Sequence, residues 1–175
     1  MNLANSQLAA QKIRLLVLDV DGVLTDGSIY YSNSGDELKA FNIQDGLGIK
    51  LLQGAGIEVA IITGRSSNLL SRRSDELGIS RVIQGREDKL SALNELLADS
   101  TYSFDEIAYM GDDLPDLAVI RRVGLGMTVA NANPTVAEHA RWQSRRDGGR
   151  GAVREAAEFI LKAQDKFAQA IEPFL

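Results

Sequence analysis

A chain of 175 residues with 45% apolar and 25% charged side chains fits one globular domain with an ordinary core. Its net charge of -5 with interspersed signs argues against a nucleic-acid binder, which would carry a basic stripe. No apolar run approaches the roughly 20 residues that cross a bilayer. The absence of cysteine excludes disulfides and thiolate metal sites and fits a reducing compartment. Met1 to Lys12 lacks the basic start and apolar centre of a signal peptide, so the expected location is the cytoplasm.

Met1 to Gln11 is Ala- and Gln-rich and reads as a short frayed helix leading into the first strand. From Leu15 the apolar run has no helical stripe and predicts a strand buried on both faces. It ends on Asp19 and Asp21, one residue apart, followed by Gly22. Charge at a buried strand tip is costly unless a cation or a reaction compensates it. Segments 27–32 and 37–41 flank Asn33-Ser34-Gly35-Asp36 and predict a hairpin over about 28–41, placed to act as a flap. Two strands alone are marginal in water, so this hairpin needs a surface to pack on.

Asp45 is a candidate N-cap for a helix through Leu51 and Leu52, stopped by Gly54 and Gly56, and equally a candidate substrate contact. A second strand over Ile57 to Thr63 leads through Gly64 and Arg65 to a helix that starts near Ser66 or Ser67 and stops at Gly78. Arg65, at the strand tip, suits phosphate or carboxylate, whereas Arg72 suits a solvated face. A short strand at Arg81 to Ile83 precedes a helix within 84–97 whose buried side is Leu90, Leu93, Leu96 and Leu97. Lys89 lies near its first turn, against the helix dipole, which suggests a ligand. A fourth strand ends at Met110 before Gly111-Asp112-Asp113-Leu114-Pro115-Asp116, and Val123 to Val129 predicts a fifth. Gly148-Gly149-Arg150-Gly151 reads as a hinge, or as an arm presenting Arg150 to an active site, before a helix from Ala152 to about Ala170. Alternating strands and helices predict a doubly wound parallel α/β sheet, in which ligands bind outside the carboxyl ends of the strands.

Asp19-x-Asp21-x-x-Leu24-Thr25, then Thr63-Gly64, then Lys89, then Gly111-Asp112-Asp113-x-x-Asp116 resembles, in order and spacing, the four-part signature of the haloacid dehalogenase-like phosphohydrolases. The resemblance implies a Rossmann-like fold. It also implies Mg²⁺ held by Asp19, the backbone carbonyl of Asp21, and Asp112, the hard oxygen donors that this cation takes. Asp19 would be the nucleophile and Asp21 the acid and base, with Thr63 and Lys89 on the transferred phosphoryl group. Asp113 and Asp116 would orient Lys89 or metal-bound water. Aspartate at position 21 fits ester hydrolysis, where a leaving alkoxide needs a proton, and not dehalogenation.

Only 37 residues separate Thr25 from Thr63 and 25 separate Thr63 from Lys89, too few for a cap domain. The chain is therefore expected to be a single domain, 1–175, with the flap at about 28–41 and the C-terminal arm and helix at about 148–175. From about Leu15 to Leu161 it resembles more closely the 3-deoxy-D-manno-octulosonate 8-phosphate phosphatases. This likeness implies lipopolysaccharide precursor synthesis, a homotetramer and a sugar acid phosphate as the partner molecule. It implies substrate contacts at Asn42, Ile43, Gln44, Asp45, Gly46, Lys50, Arg65, Arg73 and Lys89. Gln44 departs from the arginine expected of many relatives. The alternatives are a phosphatase for a nine-carbon sugar acid phosphate and a catalytically silent sugar-phosphate-binding module; the acid/base residue Asp21 argues against the latter. Without a cap, the hairpin is expected to pack against other copies through Ile29, Tyr31, Leu38 and Phe41, with the 148–151 arm able to reach a neighbour's pocket.

Overall fold

The computed structural model describes residues 3–175. Helix α1 (Leu3–Ala10) precedes β1 (Leu15–Leu18), and the hairpin strands β2 (Tyr30–Tyr31) and β3 (Glu37–Leu38) follow. Then come α2 (Ile43–Gly54), β4 (Glu58–Ile62), α3 (Asn68–Leu77), β5 (Arg81–Ile83) and α4 (Lys89–Leu97). The second half runs β6 (Ile107–Met110), α5 (Leu117–Ile120), β7 (Leu125–Thr128), α6 (Pro134–His139), β8 (Trp142–Gln143), α7 (Ala152–Ala163) and α8 (Phe167–Ile171). The six-stranded sheet has the order β5-β4-β1-β6-β7-β8 with every pair parallel. This is the expected doubly wound arrangement.

All four residues of β1 are buried because both faces of the sheet are covered. Leu16 and Leu18 join a core with Ile49 and Leu52 of α2 and Ala156, Ile160 and Leu161 of α7. Leu15 and Val17 face the opposite core, with Leu93 and Leu96 of α4 and Val119 and Ile120 of α5. Period-two alternation thus lets one strand serve two cores. Strand β1 lies between β4 and β6, so the ends of the three central strands open onto one crevice.

Several local expectations need correction. Helix α2 begins earlier than expected: Asn42 is its N-cap, accepting from the backbone N–H groups of Gln44 and Asp45. Asp45 is buried inside the first turn and caps a different helix, accepting from Gly151 N at 3.2 Å and Arg154 N at 2.8 Å. The C-terminal helix breaks in two, with Asp165 at φ 55° between α7 and α8. Strand β8 has only two residues, too short to leave an alternating pattern, and was not anticipated.

The glycine-rich segment is neither a loose hinge nor an extended arm. It is a strap packed on its own chain's loop after β1. Gly149 N donates to Val23 O at 2.9 Å and Gly148 N to Asn131 Oδ1 at 3.0 Å. A Cβ at Gly148 would overlap Gly22 O, and one at Gly149 would crowd the Thr25 backbone, so only glycine permits this approach. Arg150 pairs with Asp26 at 3.5 Å.

Candidate active site

Asp19 follows β1 directly, Thr63 follows β4, Asp112 lies two residues beyond β6, and Lys89 opens α4 behind its N-cap Asp88. The crevice they form is also lined by Asp21, Gly64, Arg65, Asp113 and Asp116. Lys89 is buried, with Nζ at 2.7 Å from Asp19 Oδ2 and 2.6 Å from Asp116 Oδ1. Asp116 is itself saturated: Tyr109 OH donates to Oδ1 at 2.6 Å, and the backbone N–H groups of Asp112 and Asp113 donate to Oδ2 at 3.0 and 3.2 Å. A capping arrangement at the turn after β6 therefore also fixes the lysine. Asp113 is exposed and accepts from Asn133 Nδ2 at 3.1 Å.

Carboxylate oxygens of Asp19, Asp112 and Asp116 lie within 4.8 Å of one another. Burial, and then the Asp116 charge, raise the Asp19 carboxyl to about 6 although Lys89 pulls it down. Burial, then Asp116 and Asp19, raise Asp112 to about 7. Burial pushes the Lys89 ammonium down, but Asp19 and Asp116 outweigh it and leave it raised. Three carboxylates facing one ammonium are short of positive charge, which fits a hard divalent cation. Because Asp116 spends both oxygens on other partners, Asp19 and Asp112 are the side chains free to hold such an ion. Gly22, at φ +88°, lies against Asp112 where a Cβ would overlap the carboxylate, so the backbone after Asp21 closes on the same point.

The hairpin contributes to this crevice from above. Arg65 Nε stands 3.8 Å from Asp21 Oδ2, and its Nη2 reaches Glu37 at 3.3 Å and Tyr31 OH at 3.5 Å. Lys39, which the reading of the sequence did not single out, pairs with Asp21 Oδ1, and its side chain is only 4% exposed. Lys39 follows β3 directly and stands two residues from Glu37, whose carboxylate lies 3.9 Å from its ammonium; that spacing is the signal that would have found it.

The other expected substrate residues lie outside the crevice of their own chain. Asn42 caps α2, and its Nδ2 donates to Gly149 O at 3.4 Å. Ile43 and Gln44 are exposed, and Gly46 is covered by the Arg73 guanidinium. Arg73 pairs with Glu76 at 3.3 Å and lies over the Phe41 ring. Lys50 is exposed beside a separate groove between α2 and the C-terminal residues.

Residues 79–155 match the haloacid dehalogenase-like hydrolases. The 3-deoxy-D-manno-octulosonate 8-phosphate phosphatase KdsC of Yersinia pestis is 52% identical over 161 residues, 92% of this chain and 86% of that protein. The Moraxella catarrhalis 3-deoxy-D-manno-octulosonate 8-phosphate phosphatase, solved in complex with magnesium ion, phosphate ion and KDO, superposes with a TM-score of 0.97 at 45% identity. That match covers 99% of this chain and all of the other. The cobalt-bound form of the Haemophilus influenzae phosphatase gives a TM-score of 0.89 at 38% identity, covering 93% and 98% of the two chains. The chain belongs to the 3-deoxy-D-manno-octulosonate 8-phosphate phosphatases of the haloacid dehalogenase-like hydrolases.

Proposed function

We propose that the protein hydrolyses 3-deoxy-D-manno-octulosonate 8-phosphate to the free sugar acid and phosphate, with Mg²⁺ as cofactor, in the cytoplasmic synthesis of lipopolysaccharide precursors. The observation that carries this reading is the crevice in which Asp19, Lys89 and Asp112 meet at the strand ends, within a chain 52% identical to a phosphatase of that substrate. Asp19, the Asp21 carbonyl and Asp112 would hold Mg²⁺. When bound, the ion offsets the repulsion between carboxylate and phosphate oxygens.

Asp19 attacks phosphorus in line; its Oδ–P bond forms as the bond from phosphorus to the sugar oxygen breaks. Asp21 gives its proton to the departing oxygen. Water then attacks phosphorus while the Asp21 carboxylate takes a proton from that water, and the Asp19 Oδ–P bond breaks to free phosphate and Asp19. Thr63 and Lys89 hold the phosphoryl oxygens, and Lys89 is fixed for this by Asp116 at 2.6 Å. Arg65 and Arg73 suit the carboxylate that distinguishes a sugar acid from a neutral sugar.

The chain acts as one domain, and the sugar end of the site is completed by a neighbouring subunit. Ile29, Tyr30, Tyr31 and Leu38 of the hairpin are 46%, 48%, 69% and 62% exposed, and Ile43 at the start of α2 is 82% exposed. This apolar surface beside the crevice supports a closed homo-oligomer, four copies by family likeness. In such an assembly Asn42 to Gly46, Lys50 and Arg73 would serve a site shared between subunits. Phosphate release from a panel of phosphorylated sugar acids with Mg²⁺ tests the substrate. The eight-carbon acid is expected to give the highest kcat/KM, and equal or better turnover of a nine-carbon sugar acid phosphate would reassign it.

A further inference from the structure

The crevice contains a buried cation that the mechanism above does not use. Lys39 is carried by the hairpin, not by the sheet, yet its side chain is 4% exposed and its ammonium meets Asp21 Oδ1; Glu37 Oε1 lies 3.9 Å away on the other side. Asp21 Oδ2 faces Arg65 Nε at 3.8 Å, so Lys39 makes the nearer of the two contacts. Neighbouring hairpin residues such as Tyr31 and Leu38 are largely exposed. A lysine with a long, flexible stem is thus ordered at one point of an otherwise solvated flap, an arrangement that costs side-chain entropy.

We infer that Lys39 is a positioning residue for phosphoryl transfer, holding the Asp21 carboxyl group from the flap in the orientation from which it serves the leaving oxygen. The inference rests on Asp21 as the general acid of the proposed reaction. As Asp19 Oδ bonds to phosphorus and the ester P–O bond breaks, the proton passes from Asp21 to the ester oxygen and negative charge grows on Asp21. A lysine fixed at Oδ1 sets the direction in which that carboxyl group points. Its contribution is therefore to the placement of the proton donor and not to substrate binding. It also links the flap to the chemistry, since the hairpin must be seated for Lys39 to reach Asp21.

The effect depends on the leaving group, which a structural role or a phosphate contact would not. An alkyl phosphate needs the proton; 4-nitrophenyl phosphate expels a stable phenolate without it. The measurement is kcat/KM, which reports steps through phosphoryl transfer, on both esters for Lys39→Met, Lys39→Arg and Asp21→Asn. Lys39→Met is expected to lose about tenfold or more on the alkyl ester and less than about threefold on the aryl ester, with Lys39→Arg recovering most of the difference. Equal losses on the two esters, or an arginine variant no better than methionine, would overturn the role of Lys39. Asp21→Asn separates this from the underlying reading: if it also loses both esters equally, Asp21 is not the acid and the proposed mechanism fails first.

Discussion

Asp19 and Asp112 carry carboxyl groups raised from 3.8 to about 6 and about 7, and the sign of that shift makes a prediction about the metal-free protein. A carboxyl whose folded value lies above its unfolded value holds its proton in the folded state while the unfolded chain has lost it. Between about pH 4 and 7 this cluster therefore makes stability fall as pH rises. A divalent cation needs the deprotonated oxygens and binds the folded state, so it reverses the trend. The rise in melting temperature on adding millimolar Mg²⁺ should be larger at pH 8 than at pH 5, measured by thermal unfolding against a chelator control. An increment independent of pH would count against Asp19 and Asp112 as ligands.

At the scale of elements, helix α2 and the start of α7 are joined through one carboxylate. Asp45 on α2 accepts the N–H groups of Gly151 and Arg154, which anchors the start of α7. The 148–151 strap before it packs on Gly22 and Val23 behind the catalytic strand. Removing that carboxylate leaves buried donors at a helix N-terminus without a partner. Asp45→Ala should cost about 2 kcal/mol of stability, read from urea unfolding at constant m. A change below about 0.5 kcal/mol would show that the contact is not structural. Glycine spacing in the sequence marked this segment as special. It could not reveal whether the glycines gave freedom or close approach, because both uses look alike until the opposing backbone is placed.

At the scale of the whole molecule, the sheet and the strand-end residues were legible because buried parallel strands announce themselves as apolar runs, and the three central runs lead into Asp19, Thr63 and Asp112. Asp19, Thr63 and Asp112 follow from that rule and the order of the elements, whereas Lys89, at the start of α4, needed its place against the helix dipole and the resemblance to the family signature as well. Lys39 and the capping of α7 by Asp45 were not legible, since each depends on how a flap or a distant helix folds back over the sheet. In the proposed assembly, Asn42 to Gly46, Lys50 and Arg73 would depend on a further level again, the neighbours of the chain. The exposed hairpin predicts that light scattering at assay concentration will report an oligomer, and that Tyr31→Asp will weaken association and sugar acid phosphate turnover together. A fully active monomer would make the flap a lid for its own site alone.

The claim on which the rest depends is that Asp19 becomes covalently phosphorylated. Quenching the enzyme during turnover of 3-deoxy-D-manno-octulosonate 8-phosphate and reducing it with borohydride converts an aspartyl-phosphate to homoserine, which peptide mass spectrometry can locate. The account predicts homoserine at position 19, absent without substrate and absent in Asp19→Asn, which should have no measurable turnover. Homoserine at another aspartate, or an Asp19→Asn enzyme that still releases phosphate at a near wild-type rate, would contradict it.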